Sequence, residues 1–255
     1  MKFLKITIIT VVYNREKVIS RCLKSLYNQT YKDVQHIIVD GGSTDKTLSI
    51  INNEAKENTL VVSEQDDGLF DALNKGLDLA SGDVVGVLHS DDVFYSKDTL
   101  AKVAKWHKAH PNVDGTYGDV LFKKSIFDEK NVRINRSKSL NKKNITYGIF
   151  PGHTSIFLKM NKKVKDVRYN KNFKIGGDFE YLVRLLLDKE IKLLNMNMPL
   201  SIMEVGGLST SGISSYITLT REMISALRMN KVYTKKYKIY FRALRKFQQL
   251  INVNG

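Results

Sequence analysis

Apolar positions follow two alternating rhythms through the first half of the chain. Lys5–Val12 is a β-branched run that predicts a strand, after which Val18, Ile19, Cys22, Leu23, Leu26 and Tyr27 recur at helical spacing. The pair then repeats. Gln35–Asp40 predicts a second strand, closed by Gly41–Asp45, where Ser43 or Thr44 suits the cap of a helix reaching about Glu57. Leu60–Ser63 predicts a third strand and Leu69–Ala80 an amphipathic helix stopped by Ser81-Gly82. Asp83–Leu88 is the fourth strand. Such alternation predicts an α/β fold: a largely parallel sheet covered by helices.

Beyond this point the rhythm loosens. A helix is expected near Thr99-Leu100-Ala101 and a strand at Tyr117–Val120, while Lys123–Asn144 is polar, basic and reads as a long excursion or hairpin. Ile149–Phe157 returns to a strand-like pattern. Gly176-Gly177-Asp178 then opens a strong helix, and Lys192–Asn195 and Ser201–Glu204 predict short strands ended by Gly206-Gly207-Leu208-Ser209. From Ser214 the chain is helical and basic, with Tyr233, Tyr237, Tyr240, Phe241, Leu244 and Phe247 on one face. Among them lie Lys235, Lys236, Lys238, Arg242, Arg245 and Lys246. Two regions follow from this, a main domain over 1–210 and a basic amphipathic helical tail over 211–255.

Charge adds a partner class without naming one. The chain of 255 residues carries a net charge of +15, which invites nucleic acid, phosphorylated ligands or an acidic membrane face. Positive charge gathers in Lys123–Lys143, Lys159–Lys174 and Lys231–Lys246, whereas the acids concentrate before Val120. The tail suits a membrane interface with its cations toward anionic headgroups, and equally a helix packed on the main domain. Cys22 is the single cysteine, so no intramolecular disulfide forms, as in a reducing compartment. Met1–Lys5 and the apolar run after it imitate a secretion signal. Thr7 and Thr10 interrupt that run, however, and Tyr13–Glu16 follows where small cleavage-site residues belong. No apolar stretch reaches the roughly 20 residues that span a bilayer. A cytoplasmic protein is expected, peripheral on the inner membrane's cytoplasmic face if the tail binds lipid.

The chemistry sits at the strand ends. Asp40, Asp66-Asp67 and Asp91-Asp92 are carboxylate-bearing turns after three strands, and an open parallel sheet binds ligands outside the carboxyl ends of its strands. Adjacent carboxylates repel, and a hard divalent cation shared with substrate phosphates relieves the repulsion. A helix cap or turn explains any one of these acids by itself.

The motifs taken in order resemble family 2 glycosyltransferases. They are Ile8–Asn14, Asp40–Asp45, Glu64–Gly68, Ala72–Gly76, Ala80–Asp83 and His89-Ser90-Asp91-Asp92, and the likeness spans roughly residues 5 to 210. The resemblance implies an inverting enzyme of GT-A fold that uses a nucleotide-sugar donor, UDP-linked by expectation, with Mg²⁺ or Mn²⁺. It is nearest to bacterial enzymes extending surface polysaccharides on oligosaccharide or lipid-linked acceptors. It also implies roles. Thr10, Val11, Tyr13 and Asn14 would form the base-binding floor, with Asp40 accepting from a pyrimidine ring N–H, Asp67 completing the nucleoside pocket and Asn74 reaching ribose or phosphate. Ser90-Asp91-Asp92 stands at the DXD-type motif, Asp91 approaching ribose or metal and Asp92 binding metal. Asp178 matches the base, with Glu180 in reserve or holding the acceptor sugar. His153 would lie near the donor phosphates or acceptor, although Thr154 follows it where Gln or Pro is usual, and Gly206–Ser209 forms a late loop near the site.

Two other classes compete. A nucleic-acid-binding protein would account for the interleaved Tyr, Phe, Lys and Arg, but it leaves the acidic strand ends unexplained. A nucleotidyltransferase needs a glycine-rich basic loop after the first strand, which Val12–Glu16 does not supply. No nucleic-acid partner is therefore expected. The sequence leaves oligomeric state open.

Overall fold

In the computed structural model, which describes residues 4–137, 140–206 and 212–240, the first half follows the predicted alternation. β1 (Ile6–Val12), α1 (Ile19–Tyr27), β2 (Val34–Asp40), α2 (Thr47–Glu54), β3 (Thr59–Ser63), α3 (Leu69–Leu79) and β4 (Val84–Val87) succeed one another. β2 pairs in parallel with β1 and β3, and β1 with β4. Every residue of β1 is buried, since helices cover both faces of the sheet. The two-residue period sorts them into layers. Ile9 and Val11 pack with Phe70, Leu73 and Leu77 of α3, whereas Ile6, Ile8 and Val12 pack with Ile19, Cys22, Leu23 and Leu26 of α1. Each such side chain contributes about 1.5–3 kcal/mol when fully buried.

The second half turns the sheet mixed. β5 (Val93–Phe94), α4 (Thr99–Ala109), β6 (Gly115–Lys123), β7 (Arg133–Asn135), α5 (Lys142–Thr146), β8 (Ile156–Lys159), α6 (Gly177–Leu187), β9 (Leu193–Glu204), α7 (Ile213–Met229) and α8 (Lys236–Tyr240) complete the order. Among the described residues nine strands form one sheet, β3-β2-β1-β4-β8-β6-β9-β5, with β7 against β6. β8 runs antiparallel to both neighbours and joins the parallel half to the rest.

Two expectations change here. Ile149–Phe157 is not one strand: Gly148 at φ +66° and Pro151 break it, and a 3₁₀ turn at His153–Ser155 precedes β8. The two short strands after residue 192 are one long strand, irregular where Asn197 adopts φ 52° and the register against β6 shifts. As one of its two predicted forms, the basic excursion is a hairpin, β7 returning antiparallel to β6, and it also holds α5.

The described part of the expected tail is no detachable arm. Leu219, Met223, Ala226 and Leu227 of α7, with Val232 and Ile239, belong to the same core cluster as Ile9 and Phe70. The boundary at 210 therefore does not separate two cores. Phe241, Arg242, Leu244, Arg245, Lys246 and Phe247 lie outside the described residues, as do Gly207, Leu208 and Ser209 of the late loop.

One buried group ties this fold to pH. His36 on β2 bonds Tyr27 Oη and Thr10 Oγ1, each at 3.1 Å, and burial lowers its pKa from 6.5 to about 3. The folded chain thus holds a neutral ring that the unfolded chain protonates below its ordinary pKa. This contribution is constant above about pH 6.5 and erodes as pH falls toward 3, by up to about 1.4 kcal/mol per pH unit. Urea midpoints measured from about pH 7 to about pH 5 should fall less steeply for His36→Gln than for wild type. Equal slopes would show that another group carries the acid sensitivity.

Candidate active site

The carboxyl ends of β1 and β4 open into a cavity of about 580 Å³, walled by Val11–Arg15, His89–Asp92, the loop 148–153 and Asp178. Asp91 and Asp92 follow β4 as expected. Asp92 is 1% exposed, its Oδ2 has no hydrogen-bond partner, and burial, with Asp91 beside it, pushes its pKa well up. A buried carboxylate oxygen left without a donor is costly unless a ligand completes it. Facing the cavity with Asp91, it fits a hard cation. Among the described residues no three His, Cys, Asp or Glu are grouped to hold a metal alone.

Behind this pair stands Arg21 of α1. Its guanidinium grips Glu204 at 2.7 and 2.6 Å and donates to Asp91 O at 3.2 Å. Arg21 therefore braces the acidic turn, and Glu204 itself reaches the cavity wall. Neither residue is marked by any local pattern, because the two lie 183 residues apart.

Asp178, which lines the same cavity, occupies the second position of α6, whose N-cap is Gly176. A Cβ on Gly177 would stand 2.7 Å from the Phe70 ring, so glycine there brings the helix start down onto the cavity floor. The approach to this helix is held by Glu222 of α7, whose carboxylate accepts from the N–H groups of Lys174, Ile175 and Gly176 at 2.7, 2.9 and 2.7 Å. Replacing Glu222 by Ala should lower stability by about 1–2 kcal/mol, the scale of a lost helix cap. It should also reduce kcat at unchanged donor KM. Thermal unfolding and steady-state kinetics check both, and an unchanged kcat would limit Glu222 to stability.

His153 lies beside Asp178 on the cavity wall. Its Nδ1 is 3.2 Å from His89 Nε2 and its Nε2 is 2.8 Å from Tyr169 Oη. Burial lowers both imidazole pKa values and raises that of the Tyr169 phenol, so the three form a neutral chain. With Tyr169 donating to His153, the His153 Nδ1–H donates to His89. Tyr169 is stacked on Tyr181 at 4.1 Å between centroids.

Several expected site residues stand elsewhere. Asn74 clamps Tyr169 by donating to its carbonyl at 2.9 Å and accepting from its N–H at 2.7 Å, and so acts behind the histidine chain rather than on ribose. Thr10 is buried against His36. Asp40 is fully buried, its oxygens accepting from Ser43 N–H, Ser43 Oγ and, at 2.7 Å, Ser63 Oγ, which leaves it inside the turn. Asp67 is 79% exposed and pairs with Lys171 at 3.2 Å. Asp66 reaches the cavity instead, its carboxylate lying over Gly41 where a Cβ would collide with it. Glu180 is 2% exposed, holds Arg184 at 2.7 and 2.8 Å and does not line this cavity. Val11, Tyr13, Asn14 and Ser90 do line the cavity. Asn14, at φ 51°, also accepts from Thr44 N–H at 2.8 Å and so ties the β1 loop to the Asp40 turn.

A parallel half with paired acids after β4, and Asp178 on the same cavity, is the arrangement of a sugar-transferring enzyme of the GT-A fold. Residues 7–165 match the family Glycosyl transferase family 2, and the chain belongs to it. It is 32% identical over 209 residues to the PGL/p-HBAD biosynthesis glycosyltransferase of Mycobacterium tuberculosis, covering 80% of this chain and 79% of that one. In fold it is similar to S. aureus TarS 1-349, solved in complex with UDP-GlcNAc. The TM-score is 0.64 at 23% identity, over 88% of this chain and 66% of that one. Of the longer TarS chain it spans 40%. The mannosyltransferase PcManGT from Pyrobaculum calidifontis, solved with GDP-Man and Mn²⁺, gives a TM-score of 0.69 at 16% identity, over 99% of this chain and 74% of that one. Asp178 lies beyond the span that the family match covers.

Proposed function

We propose that this glycosyltransferase moves one sugar, with inversion, from a UDP-linked donor to an oligosaccharide or lipid-linked acceptor in bacterial surface-polysaccharide synthesis. The observation that carries the reading is a single cavity lined by Asp91, Asp92 and Asp178 together. Val11, Tyr13, Asn14 and Asp66 then bind the nucleoside, and Asp91 and Asp92 hold Mg²⁺ or Mn²⁺. The cation, when bound, supplies charge stabilisation to the diphosphate as it leaves. Asp178 takes the proton of the attacking hydroxyl through a carboxylate oxygen, on the face opposite the leaving group. His153, both of whose ring nitrogens are engaged by Tyr169 and His89, walls the same cavity with a neutral imidazole that shapes the acceptor's place without bonding it. The test is a panel of nucleotide sugars incubated with Mn²⁺ or with EDTA, reading nucleotide release and the anomeric configuration of the product. Retained configuration, or no release from any donor, would refute it.

The tail supports a peripheral place on the cytoplasmic face of a membrane. Tyr233 is 83% exposed, Tyr237 and Tyr240 are also exposed, and Lys235 lies among them, a composition suited to anionic headgroups. Among the described residues no helix is long and apolar enough to cross a bilayer. Co-sedimentation with phosphatidylglycerol vesicles should fall when the three tyrosines are replaced by Ser, and should vanish on neutral phosphatidylcholine. Equal pelleting on both would remove the membrane from this reading.

A further inference from the structure

Three linked rings fix the place of one hydrogen that no group among the described residues receives. Tyr169 is buried, and its hydroxyl meets one partner among the described residues, His153 Nε2 at 2.8 Å. A buried phenol hydrogen without an acceptor is costly, so it points at that nitrogen. His153 Nε2 then holds a lone pair, and the hydrogen of that ring sits on Nδ1. The 3.2 Å contact between His153 Nδ1 and His89 Nε2 has room for one hydrogen, which makes His89 Nε2 the acceptor. The hydrogen of the His89 ring therefore lies on Nδ1.

The chain is rigid at its origin. Asn74 clamps the Tyr169 backbone, and the phenol ring is stacked on both Phe70 and Tyr181, at 5.8 and 4.1 Å between centroids. Its far end is open. Among the described residues nothing accepts from His89 Nδ1, and His89 lines the cavity two residues before Asp91. A neutral N–H suits this place. A lysine or arginine would pair with Asp91 and Asp92, whereas an imidazole N–H leaves both acids for a cation and still donates. The oxygens of a diphosphate only accept, and the one that leaves the sugar gains charge as the bond breaks. A donor oriented beforehand stabilises that charge most.

We propose that His89 Nδ1–H donates a hydrogen bond to the terminal phosphate of the departing nucleoside diphosphate, and that Tyr169 is the positioning residue which imposes this tautomer through His153. The proposal rests on the cavity taking a nucleotide-sugar donor. The test uses the full chain with Mg²⁺. ¹⁵N NMR of the imidazoles shows which nitrogen carries the hydrogen, and calorimetry compares UDP and GDP with UMP and GMP. In wild type His89 should carry its hydrogen on Nδ1, and the tighter diphosphate should shift that signal. His89→Ala should weaken that diphosphate about tenfold, the scale of one hydrogen bond to a charged group, and leave its monophosphate unchanged. His89→Asn, whose amide donates from near the Nδ1 position, should keep more of the affinity than His89→Ala. Tyr169→Phe, which removes one oxygen, should give both His89 tautomers and an intermediate affinity. A hydrogen on His89 Nε2 in wild type, equal diphosphate affinity in His89→Ala, or an equal loss for the monophosphate would overturn the proposal. Failure of both diphosphates to bind wild type would instead count against the donor reading. Inorganic diphosphate, by shifting or sparing the Nδ1 signal, would then still decide the role of His89.

Discussion

Asp178→Asn is expected to lower sugar transfer by about 10²–10⁴-fold, the usual weight of a positioned base, while donor affinity stays within about twofold of wild type. The substitution keeps the size and the hydrogen-bonding shape of the side chain but removes its ability to take a proton. Asp178 Oδ1 already faces the Phe179 N–H at 2.7 Å, so the helix start orients the carboxylate without help from substrate. The matching substitution two residues on separates chemistry from structure. Glu180→Gln should leave the chemical step intact and lower stability, since it weakens the buried pair with Arg184. Single-turnover kinetics beside thermal unfolding distinguish the two. Transfer at the wild-type rate by Asp178→Asn would place the base elsewhere on the cavity wall.

Asp92→Asn should have the second largest effect, and in an unusual direction for stability. A Lewis acid is worth several kcal/mol to a leaving diphosphate, so turnover should fall by about 10³-fold. Mn²⁺ affinity, read by calorimetry in the presence of UDP, should fall with it. The metal-free protein, by contrast, should be no less stable than wild type. Asp92 Oδ2 is buried without a partner, and a neutral amide of the same shape is cheaper to bury than a carboxylate. A lower unfolding temperature together with unchanged Mn²⁺ binding would show that Asp92 is a structural residue.

Local signals carried far along this chain and then stopped at definite points. The parallel half was legible because each strand and helix is short, strongly periodic and paired with its neighbour in sequence, as Ile6–Val12 and Leu69–Leu79 are. Asp91, Asp92 and His153 were legible because a motif names them where they stand. Arg21, Glu222 and Tyr169 were not, since each acts on a segment at least 46 residues away or is set by such a contact. Asp40 and Asp67 show the opposite limit. A motif fixes which turn is present, but Ser43 and Ser63 decide that Asp40 faces inward, and Lys171 draws Asp67 away from the cavity where Asp66 remains.

The grip of Glu222 on the segment before Asp178 bears on how little of this protein can work alone. A fragment ending at residue 165, where the family match ends, lacks Asp178, the proposed proton acceptor. One ending at 210 retains Asp178 but forfeits the anchor that aims it and strips the apolar cover supplied by Leu219 and Met223. The smallest unit that keeps both the anchor and the apolar cover therefore extends through α7.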